Sequence, residues 1–218
     1  MQLLSPERMI LNTLKQSKHD KWGFVIYRCT YEDDEGWELF KHLLHERTQK
    51  TIQRSDAPEV AHSLEWTFVE DRAALEDASR SRLRDRFNRW ADLAFVTEQP
   101  RAHAEAQECP LFGVPRYNYF IQVDEEALKS VLAAPRRDSH GEGFVNLVDS
   151  RWKPLGSRYP RQEDDEVFEP IGGCTEENVG WMRVAARMID TYLYEAAIDF
   201  PGGVWYVFYQ RPPEVLRH

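Results

Sequence analysis

The chain has 218 residues, 42% of them hydrophobic and 12% aromatic, which excludes a disordered chain and suffices to bury a core without disulfide staples. Its formal net charge of −9 argues against nucleic acid or an anionic membrane surface as the main partner, because both select clustered positive charge. Cys29, Cys109 and Cys174 are widely spaced and contain no CxxC pair, so neither a disulfide framework nor a zinc knuckle is expected. The stretch Met1 to Lys21 has no signal-peptide core and no apolar run is long enough to span a bilayer, so a cytoplasmic protein is expected, with no membrane and no nucleic acid among its partners.

In chain order, Ser5-Pro6-Glu7 is a helix start, and Ile10, Leu11 and Leu14 give a narrow apolar stripe, so residues 1–20 read as a short peripheral helix. Phe24 to Tyr27 is an unbroken β-branched and aromatic run, the pattern of a central strand covered on both faces. Asp33 or Asp34 then caps an amphipathic helix carrying Trp37, Phe40 and Leu44. Leu64 to Phe68 alternates as a second strand, and Glu70 to Leu93 reads as one long helix with Leu83, Phe87 and Trp90 on its apolar side. Tyr117 to Val123 alternates as a third strand with one solvated face, Asp124 caps a helix bearing Leu128 and Val131, and Phe144 to Val148 is a fourth strand. Residues 153–174, rich in proline and glycine around the acidic run Glu163-Asp164-Asp165-Glu166, read as a long, partly mobile loop. From Thr175 the pattern fits either one helix to Ala197 or a strand Trp181 to Val184 followed by a helix, with Gly180 and the bulky residues after it favouring the second. After the breaker Pro201-Gly202-Gly203, Val204 to Tyr209 reads as a final buried strand.

This order predicts a single α+β domain over residues 1–218, ferredoxin-like at its centre. Two βαβ halves form a split βαβ core, helices cover one face of an antiparallel sheet, and an inserted long helix and a C-terminal strand-helix-strand are appended. A Rossmann-like alternative lacks the glycine-rich turn it needs after the first strand.

Trp22-Gly23-Phe24-Val25-Ile26-Tyr27-Arg28-Cys29-Thr30-Tyr31 with Asp33-Asp34 and Trp37, Tyr117-Asn118-Tyr119-Phe120 with Val123-Asp124-Glu125-Glu126, Gly143 to Asp149, Gly180-Trp181-Met182, and Trp205-Tyr206 with Arg211-Pro212-Pro213 resemble an uncharacterised protein family of filamentous ascomycete fungi. The resemblance spans most of the chain and implies a fungal intracellular protein. It brings no activity and no site residues.

Among candidate clusters, His42, His45 and Glu46 share a helix face at metal-like spacing but match no metalloprotease signature, and a solvated helix face is the favoured reading. The other histidines His19, His62, His103 and His140 are isolated and read as surface residues. Arg82, Arg86 and Arg89 line one side of the long helix and are weighed between an anion site and a lattice of helix ion pairs, which the mixed charges favour. Cys29 beside Arg28 is a candidate nucleophile, with the buried apolar thiol favoured. The density of strand aromatics suggests an amphipathic pocket on one sheet face or, more simply, a bulky core. The candidate ligand-binding residues are therefore Tyr27, Cys29, Arg116, Tyr117 and Tyr119, with no metal and no cofactor implied. The function expected is a ligand- or protein-binding module that could form a homodimer, the alternative being a small-molecule-modifying enzyme with an aromatic-lined pocket.

Overall fold

The computed structural model describes residues 4–105, 114–133, 143–157, 166–198 and 203–217. Ser5 opens α1 (Pro6–Ser17) by accepting the Arg8 N–H on its hydroxyl, and Ile10, Leu11 and Leu14 are buried on one side of the helix. All four residues of β1 (Val25–Arg28) are buried, with Phe24 and Ile26 packed on one face and Val25 and Tyr27 on the other. The Asp33 carboxylate accepts the Gly36 N–H and caps α2 (Asp34–Gln53), which turns Trp37, Phe40, Leu44 and Ile52 inward. β2 (Thr67–Val69) begins later than the alternation from Leu64 implied, although Leu64 bridges Trp22.

The long helix expected from Glu70 is two helices, α3 (Arg72–Leu75) and α4 (Arg80–Glu98). Asp71 caps the first through the Ala74 N–H and Ser79 caps the second through the Arg82 N–H, while Asp77 between them takes a left-handed φ of 52°. After α5 (Pro100–Glu105), the stretch at Tyr117 is a helical turn, α6 (Pro115–Asn118), because Pro115 is pre-set for a first helical position. β3 (Tyr119–Val123) follows with all five residues buried rather than half solvated. Asp124 accepts the Ala127 N–H at the start of α7 (Glu125–Ala133), and β4 (Phe144–Asp149) returns beside β3.

In the 153–174 stretch, Ile171 and Cys174 close a tight hairpin turn through mutual backbone hydrogen bonds of 3.0 Å. The residues Glu163-Asp164-Asp165, Cys109, His140 and Pro201-Gly202 lie outside the described residues. β5 (Trp181–Ala185) and α8 (Thr191–Ile198) realise the strand-then-helix reading of Trp181 to Ala197. The final strand expected from Val204 is instead a helix, α9 (Gly203–Phe208), and the last strand is the short β6 (Val215–Leu216). A short apolar run carries no periodicity that separates a buried strand from a buried helix. Here Trp205 meets Tyr209, four residues on, with ring centroids 5.5 Å apart, and packs on Tyr119, while β6 takes the place beside β5.

The chain is mixed α+β. Among the described residues the sheet has six strands in the order β2-β1-β3-β4-β5-β6. β1 pairs in parallel with β2 and β3, β4 runs antiparallel between β3 and β5, and β6 is parallel to β5. This differs from the antiparallel, one-sided sandwich expected. No strand separates β1 from β2, so the first βαβ unit is not split, and both sheet faces are covered. On one face α1, α2, α7 and α8 pack on Phe24, Ile26, Ile121 and Leu147; on the other Leu83, Phe87, Ala91 and Ala94 of α4 pack on Val25, Tyr27, Phe120 and Val148. The inserted helix carries an apolar stripe of its own and therefore needs a sheet face of its own.

Candidate functional site

The five residues singled out in the sequence lie in the core. Tyr27 is 1% exposed and meets Phe120 edge-on at 5.3 Å, and burial raises its phenol pKa above the ordinary value. Cys29, also 1% exposed, has its thiol pushed up to about 12 by burial, the condition of an inert cysteine. Tyr27, Cys29 and Tyr117 belong to the layer beneath α4, whereas Tyr119 faces the opposite side of the sheet against Trp205. The structure does not bring these four around one space.

Arg116 is the centre of a buried network. Its guanidinium donates to both carboxylate oxygens of Glu98 at 2.7 and 2.9 Å, to the carbonyls of Gly23 and Glu65, and to the Thr67 hydroxyl. The Tyr117 hydroxyl donates to Glu98, and Gln99 donates to that hydroxyl while accepting the Lys21 N–H. Gly23 makes this approach possible, since at φ 111° an added Cβ would sit 2.6 Å from the Glu65 carbonyl. The C-terminus of α4, the entry to β1 and the approach to β2 are thus tied to one cation. Every donor of Arg116 faces a protein acceptor, so the group is a structural tie.

The other clusters separate in space. Arg86 pairs with Asp71 at 3.3 Å, while Arg82 and Arg89 point to solvent. The His45 ring lies beside Phe68 at 5.9 Å, and among the described residues no three histidine, cysteine or acidic side chains are placed to hold a metal ion.

The arrangement that the sequence did not reveal is at the other end of α4. Arg80 and Arg84, one turn apart, border the apolar stripe on its N-terminal side and turn toward the sheet and the loops beyond it. The Arg80 guanidinium lies over the Trp181 ring at 3.4 Å, and the Arg84 guanidinium lies 5.0 Å from the Trp152 ring. Arg84 donates to the carbonyls of Asp149 and Gly180, both at 2.8 Å, and Asn88 donates to the Ser150 carbonyl, so the first turns of α4 are stapled to the exit of β4 and the entry of β5. Gly180, at φ 75°, is essential to this closeness: an added Cβ would lie 2.3 Å from the Trp152 ring and 2.7 Å from Arg84.

Between α4, residues 150–154 and the Ile171–Cys174 hairpin the surface opens into a cleft of about 610 Å³, bordered by Arg80, Arg84, Trp152, Trp181, Ile171 and Cys174. A second depression of about 740 Å³ continues it past Trp152 toward Asn88 and Ser150, sharing Ser81, Arg84, Trp152 and Pro154 and lined also by Asp85 and Asp92. The hairpin is held by Arg211, which donates to the carbonyls of Glu169 and Glu177. Glu176 is spent locally, its carboxylate accepting the N–H groups of Leu155 and Gly156.

Arg80 and Arg84 bring two positive charges to the cleft, and Glu176 also lines it. Among the described residues Arg84 donates to neutral carbonyls, and burial lowers its pKa against the opposing charge of Asp149. Among the described residues Arg80 has one ion-pair partner, Asp124 at 3.8 Å, whose carboxylate also accepts the Ala127 N–H and the Asn146 amide. The Arg80 Nε is closed off from solvent without a hydrogen-bond partner among the described residues, and burial lowers the group's pKa to about 10. The sequence signal for this site was slight: two arginines spaced i, i+4 beside an apolar stripe, immediately after Ser79. Trp152 and Trp181, far apart in the chain, join it only through the sheet.

Compared with protein families, curated proteins and solved structures, the chain matches none. Among the described residues no helix is long and apolar enough to cross a membrane. What the structure defines is a mixed α+β chain with an arginine- and tryptophan-bordered cleft at the edge of its second helical layer.

Proposed function

We propose that this chain is a binding protein whose ligand is a small organic molecule held in the cleft between α4, residues 150–154 and the Ile171–Cys174 hairpin. The observation that carries the reading is the pairing of Arg80 with Trp181 and of Arg84 with Trp152 at the border of a concavity of about 610 Å³, within the range that encloses drug-sized ligands. The two arginine–tryptophan pairs present flat apolar surface and hydrogen-bond donors together, which is how small-molecule sites combine contact area with orientation. Tyr27, Cys29, Arg116, Tyr117 and Tyr119 are each at most 5% exposed, so the ligand is placed in the cleft and not among them. Tyr27, Cys29 and Tyr117 build the layer on which α4 rests, Arg116 ties the C-terminus of α4 to the sheet, and Tyr119 packs on the opposite face. The setting is intracellular, in keeping with the resemblance to the fungal family.

Native mass spectrometry of the purified protein tests the reading, together with the indole N–H signals of Trp152 and Trp181 during a metabolite screen. A discrete adduct of a few hundred daltons that is lost in Trp152→Ala, or a screened compound that shifts those two signals before the other tryptophans, supports it. A bare chain whose Trp152 and Trp181 signals stay fixed through the screen overturns it and turns the search to protein partners. Turnover of a bound compound would point to the enzymatic alternative.

A further inference from the structure

The charge and shape of the cleft narrow the ligand further. Arg80 and Arg84 stand at i, i+4, so their side chains leave the helix on one face about 6 Å apart. The first turn of α4 holds no carboxylate. Among the described acids around the pair, Asp124 accepts from Ala127 and Asn146, Glu176 from Leu155 and Gly156, and Asp149 from the Arg151 N–H, while Asp85 and Asp92 line the second depression, on the side away from Arg80. Among the described residues Arg80 and Arg84 are answered only from a distance, by the charges of Asp124 and Asp149, and neither guanidinium donates a hydrogen bond to a carboxylate, so a bound anion supplies the direct pairing that both lack. Two guanidinium groups on one face match an anion of two charges with several acceptor oxygens, and their planar forks suit phosphate. Trp152, bordering both depressions, offers the flat surface for the remainder of such a molecule.

We infer, resting on the cleft reading above, that the ligand is a phosphate monoester whose organic part carries a flat ring, with the phosphate at Arg80 and Arg84 and the ring against Trp152. Recognition needs both parts. The phosphate answers the paired charges and the ring covers the indole.

Calorimetric titration at low ionic strength with adenosine 5′-monophosphate, adenosine and inorganic phosphate tests this, with indole N–H signals locating each compound. The monophosphate is expected to bind at least tenfold more tightly than either fragment and to shift the Trp152 signal. Arg80→Gln is expected to weaken the monophosphate at least tenfold while leaving adenosine unchanged, Arg80→Lys to restore part of the loss, and the solvent-facing Arg82→Gln to change little. Thermal unfolding of each variant separates lost binding from lost folding. If the monophosphate and adenosine bind alike at Trp152, or Arg80→Gln leaves the monophosphate unaffected in a folded protein, the phosphate assignment fails while the cleft remains a ligand site. Binding of inorganic phosphate as tight as that of the monophosphate removes the ring from the inference. If none of the three shifts Trp152, the inference is overturned, and the metabolite screen decides separately whether the cleft reading survives.

Discussion

Arg116 keeps a full charge at 0% exposure because Glu98, two backbone carbonyls and a threonine hydroxyl take all sides of its guanidinium. Arg116→Met is expected to cost about 3–5 kcal/mol in urea unfolding, since it leaves the Glu98 carboxylate and those carbonyls without their donor. The same tie sets a pH dependence. Burial alone would raise the Glu98 carboxyl, but the hydrogen bonds and charge of Arg116 hold it below the ordinary value. A folded-state pKa below the unfolded one contributes stability above the unfolded value, about 4.3, that is lost as pH falls through the folded value. Glu98→Gln is therefore expected to flatten the loss of stability below about pH 5. Asp190 acts with the opposite sign. Burial first, and the nearby charge of Glu7, push its carboxyl up to about 6, so its contribution is present below the unfolded value and lost as pH rises through about 6. Asp190→Asn keeps the oxygen that accepts the Tyr192 N–H and is expected to stabilise the protein near pH 7 by on the order of 1–2 kcal/mol, with the gain vanishing near pH 4. Chemical denaturation at the two pH values checks it.

Capping decides where the helices begin. Ser5, Asp33 and Asp124 each accept the backbone N–H three residues on, at the starts the sequence marked for them. The same chemistry at Asp71 and Ser79 was hidden inside a continuous helical pattern, and it divides that pattern into α3 and α4. Ser79→Ala is expected to lower stability by about 1 kcal/mol and to loosen Arg80, the next residue, so that a thermal melt and the Trp181 indole signal both move. Gly180→Ala meets a different obstacle, because φ 75° disfavours a side chain and the new Cβ would run into Trp152. An expected loss of about 1–3 kcal/mol with a displaced Trp152 signal, read by unfolding and by NMR, tests whether this contact shapes the cleft wall. α9 was legible only as an apolar run. What makes it a helix is the Trp205 ring docking on Tyr119, a contact between residues far apart in sequence.

At the scale of the molecule, one continuous sheet carries both apolar layers, so neither can be lost without exposing the back of the other. Far-UV circular dichroism and tryptophan fluorescence are expected to report one coincident unfolding transition; two separated transitions would show that the layers are independent. The sequence by itself determined the central strand β1 with both faces buried, the helix starts at Ser5, Asp33 and Asp124, and the mixed α+β class, because these follow from local patterns of apolarity and from hydrogen bonds within one turn. Tertiary structure decided the rest. The parallel pairing of β1 with β2, the second helical layer on the far sheet face, the burial of Arg116 as a tie, and the meeting of Arg80 and Arg84 with Trp152 and Trp181 all depend on which distant segments share a sheet edge. Periodicity along a chain fixes which side of an element is apolar, but it carries no information about the partner that covers that side.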